Sequence, residues 1–160
     1  MIGNPIVTAA LQESINLEAN MCNVYCINGI ALKHRLGIKV GKELKGLGKQ
    51  SKCFKKMLIG HLLFLDGKPE IDADIAVIGD DIPAMLNEML AREMALVTKY
   101  TEFTKTCYDV NDMENFHLFQ HLIRWHRAGH GQYEGHIAYL EHELKQLAAL
   151  GLVDYIASHL

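Results

Sequence analysis

A chain of 160 residues, 49% apolar and 22% charged, is one domain by size and large enough to bury a real core. A net charge of -3 with nine histidines gives no global attraction to nucleic acid or to an anionic membrane surface. No apolar run approaches the ~20 residues of a membrane span, and the N-terminus lacks a basic stretch followed by a hydrophobic one. Cys22, Cys26, Cys53 and Cys107 fall inside helical patterns without framework spacing, which reads as reduced thiols in a cytoplasmic protein. Few prolines and no strand-like alternation make this an all-α chain, a single domain over 1–160.

Asn4-Pro5 starts the first helix, with Asn4 as N-cap and Pro5 at the first helical position. It runs to about Arg35, and Gly37 suits its left-handed C-terminal residue. The inner stripe reads Leu11, Ile15, Glu18, Cys22, Tyr25, Gly29, Leu32, so Glu18 interrupts a mostly apolar face. The second helix covers about 39–65, stopped by Gly67 and Pro69, with the stripe Leu44, Leu47, Ser51, Phe54, Leu58, His61, Leu65. Its lysines, from Lys39 through Lys42, Lys45, Lys49, Lys52, Lys55 and Lys56, read as a solvated face.

Residues 66 to 80 carry no helical pattern. Fifteen residues reach roughly 50 Å when extended, and a helix of 27 residues is about 40 Å long. The connection can therefore cross the whole bundle and join two parallel helices. The third helix starts at Asp80-Asp81, covers about 81–108, and shows the stripe Ile82, Leu86, Met89, Glu93, Leu96, Tyr100, Phe103, Cys107. Glu93 is anomalous in the same way as Glu18. Asn111-Asp112-Met113-Glu114 fits a capping box with Asn111 as N-cap, opening one long helix over about 112–149. That helix carries Leu118, Leu122, Trp125, Gly129, Tyr133, His136, Leu140, Leu144 and Leu147 at steps of three or four. Beyond Gly151, residues 152–159 form a short terminal helix.

Glu18, Glu93 and His136 thus put ionisable groups on three core-facing stripes. A buried carboxylate needs a partner, a proton or a metal. Carboxylate with imidazole suits iron, manganese or zinc. The competing account is a neutral network in which the glutamates meet Tyr25, Tyr100 or Tyr133.

Three stretches resemble the bacterioferritin family. They are Leu62-Leu63-Phe64-Leu65-Asp66-Gly67-Lys68-Pro69, Ile78-Gly79-Asp80-Asp81 with Met85-Leu86, and Glu134-Gly135-His136-Ile137-Ala138-Tyr139-Leu140-Glu141. The closing Leu150-Gly151-Leu152-Val153-Asp154-Tyr155 is similar to that family's link into a short fifth helix. The resemblance implies a ferritin-like four-helix bundle with a long crossover between helices two and three and a short C-terminal fifth helix. It further implies a 24-subunit cage storing ferric mineral, with a di-iron ferroxidase centre in each subunit. Such centres take one Glu from each of two helices and a Glu-x-x-His from each of the other two. Glu18 and Glu93 match the single glutamates, and His136 matches one histidine. Ser51 and Phe54 stand where the second helix should supply Glu and His, and Tyr133 stands where the fourth should supply Glu.

The missing glutamates are the bridging ones, so a pair of ferrous ions would be short of negative charge. One divalent ion held by Glu18, Glu93 and His136 would be neutral. Lys52 falls at the position of the family's haem methionine, so no family-type haem is expected. About seven residues more than the family pattern precede Glu134, almost two turns, so the stripe drifts by only ~20°. Gly129 and Gly131 mark a place for a break or bulge. Aligning from the N-terminal side puts His126 where the denser C-terminal register puts Tyr133, which leaves His126 as a substitute ligand. The pairs His117 with His121 and His126 with His130 have helix-surface metal spacing, but solvated histidines are the commoner outcome.

Three functions follow as expectations. One is a cage subunit for iron storage, self-associating or mixed with a catalytically complete subunit, without its own ferroxidase. The second is iron oxidation at a rebuilt site using Glu18, Glu93 and His136, with His126 or Tyr133 as a further ligand. The third is metal binding without redox work. Nucleic acid and membrane are not expected partners.

Overall fold

Asn4 starts the first helix as the local chemistry requires: its side chain accepts from Ile6 N at 2.9 Å, ahead of Pro5. The computed structural model describes residues 2–74, 81–131 and 133–160, and the side chains of His130 and Tyr133 lie outside the described set. Helix α1 (Pro5–Leu36) ends at Gly37, whose φ of 63° lets its N–H reach Lys33 O. Then come α2 (Lys39–Phe64), α3 (Ile82–Asp109), α4 (Met113–Arg127), the two-residue strands β1 (Gly129–His130) and β2 (Tyr133–Glu134), α5 (His136–Leu150) and α6 (Leu152–Ser158). The chain is all-helical apart from that short ribbon.

Helices α1 and α2 form an antiparallel hairpin of unusually close approach. A Cβ on Gly29 would stand 2.6 Å from Gly41 O, and one on Gly41 would stand 2.5 Å from Gly29 O. Only glycine at both positions allows that contact. The chain leaving α2 then lies along α1. Gln12 Oε1, Asn16 Oδ1 and Asn20 Oδ1 accept in turn from the backbone N–H of Glu70, Asp72 and Asp74, at 2.9, 2.9 and 2.8 Å. Alternate residues of the extended segment thus meet successive turns of α1, and the segment travels in the direction of α1. Tyr25 meets Glu93 while Glu18 meets Tyr100, so α3 runs antiparallel to α1 and hence parallel to α2. The first part of the expected crossover is seen here, while Ile78-Gly79-Asp80 lies outside the described residues.

Two local expectations are corrected. Asn111 does not cap α4; it takes a φ of 58° and closes the turn after α3. Asp112 is the cap, its Oδ1 accepting from Asn115 N at 3.1 Å. Asparagine tolerates the left-handed region, and the shift puts a carboxylate at the positive end of the helix. The single helix expected over 112–149 is instead α4 and α5. Gly129 and Gly131 have φ of 108° and 58°, which an α-helix cannot accommodate. The chain turns back as the ribbon, pairing Gly129 with Glu134 and His130 with Tyr133. A Cβ on Gly135 would sit 2.5 Å from the Arg127 carbonyl, so the return passes directly against the end of α4.

Leu11, Ile15, Leu44, Leu58, Leu86, Met89, Phe119, Leu122 and Leu140 fill the bundle interior. Helix α6 closes one end. The Tyr155 hydroxyl donates to Glu143 at 2.6 Å, and Lys39 N donates to His159 O at 2.7 Å. That carbonyl serves the start of α2, whose N-cap Ile38 has no side-chain acceptor. Among the described residues, no helix is long and apolar enough to cross a membrane.

Candidate metal centre

Four ionisable side chains meet in the middle of the bundle, each 0% exposed: Glu18 from α1, Glu93 from α3, His126 from the last turn of α4 and His136 at the first position of α5. The His126 ring lies between the two carboxylates. Its Nε2 is 2.6 Å from Glu18 Oε1 and its Nδ1 is 2.7 Å from Glu93 Oε2. His136 Nδ1 is 2.8 Å from the other Glu93 oxygen, and His136 Nε2 is 3.0 Å from Gln50 Oε1 on α2. The two rings meet edge to face with centroids 4.8 Å apart.

Tyrosines complete the network. The Tyr25 hydroxyl donates to Glu93 Oε1 at 2.5 Å, and the Tyr100 hydroxyl donates to Glu18 Oε1 at 2.8 Å. Burial and the neighbouring glutamates push both phenols well above their ordinary range, so they stay protonated donors. Burial alone would raise Glu93, but attraction to His126 and His136 outweighs it and holds the carboxyl well below the usual carboxylate range. Burial likewise opposes charge on His126, yet Glu18 and Glu93 lift it to about 10. The centre is therefore ion-paired: Glu93 is a carboxylate, and His126 is an imidazolium whose two N–H groups both find acceptors.

Helix α2 contributes differently. Phe54 packs its ring 5.0 Å from His126, 6.0 Å from His136 and 5.7 Å from Trp125, centroid to centroid. Glu18 Oε2 and Ser51 Oγ are buried without a hydrogen-bond partner among the described residues.

The positions expected from the stripes thus come together, with one change of emphasis. Glu93, His126 and His136 offer one donor atom each within 4.8 Å of one another, and Glu18 stands behind His126. His126 at the end of α4 and His136 at the start of α5 both reach Glu93, because the chain between them leaves the helix as the ribbon. The Tyr133 side chain lies outside the described set. Lys52 is exposed on α2, as are His117 and His121, and none belongs to this donor group. Cys22 is half-buried one turn beyond Glu18 and also stands apart from it. Gln50 escaped the sequence reading. Its only signal was its place in α2 beside Ser51, and a half-buried amide among lysines reads as surface.

A helical bundle in which α2 and α3 run parallel, followed by a short terminal helix, has the architecture of the ferritin-like class. Over 156 residues the chain is 25% identical to a bacterioferritin from Brucella melitensis biotype 1, an alignment covering 97% of this chain and 92% of that protein. No protein-family model matches the chain.

Proposed function

We propose that this chain is a bacterioferritin-like subunit that self-associates, alone or with a related subunit, into a cage storing iron, and that its bundle centre does not carry out di-iron ferroxidation. The observation behind the second part is the His126 ring seated between Glu18 and Glu93, within hydrogen-bond distance of both buried carboxylates. Two ferrous ions bring a charge of +4 against two carboxylates, and α2 offers Ser51 and the Phe54 ring where further donors would be needed. The residues present do not fit a di-iron pair. Retention of the bundle, the crossover and the terminal helix supports a role in assembly, as does the likeness to a bacterioferritin over nearly the whole chain.

Purified full-length protein tests both halves. Light scattering should report a large closed assembly that takes up iron as mineral, while oxygen-dependent ferrous oxidation proceeds at the rate of a protein-free control. Rapid oxidation abolished by Glu93→Ala would overturn the ferroxidase half, and a monomer at all concentrations would overturn the cage half. A second reading, a single ion at the same centre, is favoured by the tight donor group of Glu93, His126 and His136.

A further inference from the structure

We infer that the bundle centre binds one borderline divalent cation of the zinc class through Glu93 and the Nδ1 atoms of His126 and His136, with Glu18 and Gln50 acting as positioning residues behind the two rings. The inference rests on the proposed function only in taking the centre as unable to hold an iron pair.

Four features carry it. Glu93, His126 and His136 each offer one donor atom within 4.8 Å of the other two. Metal bonds of ~2.0–2.1 Å place tetrahedral donors about 3.3 Å apart, so side-chain movements under about 1 Å suffice. Both rings also have the same polarity. Each turns Nδ1 to Glu93, at 2.7 and 2.8 Å, and Nε2 to a second acceptor, Glu18 Oε1 at 2.6 Å or Gln50 Oε1 at 3.0 Å. Metal-bound imidazoles characteristically anchor their other N–H on a carboxylate or carbonyl in this way. The Nδ1 positions that now face Glu93 would face the ion instead.

Charge and donor type then select the occupant. Glu93 and Glu18 together offset one divalent ion. Two imidazoles and a carboxylate, without a thiolate, suit zinc or cobalt better than magnesium or calcium, and zinc stands above ferrous iron in intrinsic affinity. Glu18 Oε2 is also buried without a hydrogen-bond partner among the described residues, so it has room to accept a cation's contact. A groove of about 370 Å³ lies beside the centre between α3, α4 and α5. Its lining includes Met94, Arg127 and Ile137, each the residue that follows one of the three ligands, and it offers an approach from solvent.

The test uses chelator-treated full-length protein loaded with Zn²⁺ or Co²⁺ alone. Elemental analysis should find one ion per chain, bound with a rise in thermal midpoint. Zinc-edge X-ray absorption on the wild type should show two imidazoles and oxygen donors with no sulfur and no neighbouring metal. Glu93→Gln and His136→Gln should each weaken binding more than ~100-fold. Glu18→Gln, which keeps an acceptor, should weaken it only ~10–100-fold, the range of outer partners. The double variant His117→Gln/His121→Gln should bind as the wild type does. If Glu18→Gln fails as completely as Glu93→Gln, Glu18 is a ligand and the assignment is wrong. Two adjacent ions in the absorption spectrum overturn it together with the ferroxidase half of the proposed function. No bound ion in an intact cage overturns it and leaves that function standing. The absorption measurement decides the question even if a variant fails to fold.

Discussion

Helix α2 and the α4–α5 segment face each other across the bundle centre, and each lacks the glutamate that the family resemblance leads one to expect. Helix α2 runs uninterrupted and fills the space with Ser51 and Phe54, the ring packing on both histidines. The other segment breaks. Its ribbon ends α4 just after His126 and starts α5 at His136, so two imidazoles ten residues apart in sequence stand with ring centroids 4.8 Å apart. No unbroken helix can do this, since residues ten apart lie about 15 Å apart along its axis. The comparison teaches that a regular helix presents to the centre only what its register delivers, whereas a break in the backbone can bring two polar side chains close in sequence to one point.

The largest effect should come from removing the group that the break delivers. His126→Ala leaves Glu18 and Glu93 facing each other without their counter-charge, and loss of one partner from a buried pair costs about 3–5 kcal/mol. Chemical denaturation of the variant measures it, and a loss under about 1 kcal/mol would mean the ring is not the keystone of the centre.

The pH dependence is the next test. His126 is raised from 6.5 to about 10 in the folded state, so its contribution is complete below pH 6.5 and is lost as pH climbs through about 10. Glu93 is lowered from 4.5, so its contribution is present above pH 4.5 and is lost as pH falls below it. Stability from this network should therefore peak between those limits. Denaturation midpoints across the range should show an alkaline decline that is shallower in His126→Leu; an unchanged slope would deny His126 its charge.

Gly135→Ala probes the break itself. The added methyl meets the Arg127 backbone at 2.5 Å, and such overpacking costs about 1–3 kcal/mol. A wild-type thermal midpoint would show that the return of the chain is not held as tightly as described. Ser51→Ala should have the smallest effect. It deletes a buried hydroxyl without a partner among the described residues, so stability should stay level or rise by up to about 1 kcal/mol. A clear loss would reveal that α2 contributes a hydrogen bond to the centre after all.

Much of this molecule was legible in the chain alone. Periodicity located the first three helices but joined α4 and α5 into one, Asn4-Pro5 and Gly37 bounded the first, and the length of 66 to 80 announced a crossover. Glu18, Glu93 and His136 stood out because charge on a core stripe is costly whatever the fold. The tertiary structure alone decided how those charges are compensated. Helical spacing says which face a residue shares, but not which residue of another helix arrives at the same height. The amides Gln12, Asn16 and Asn20 read as solvated surface until the crossover lay on them. His126 read as no more than a substitute ligand until two positive-φ glycines released the chain from the helix and brought it beside His136.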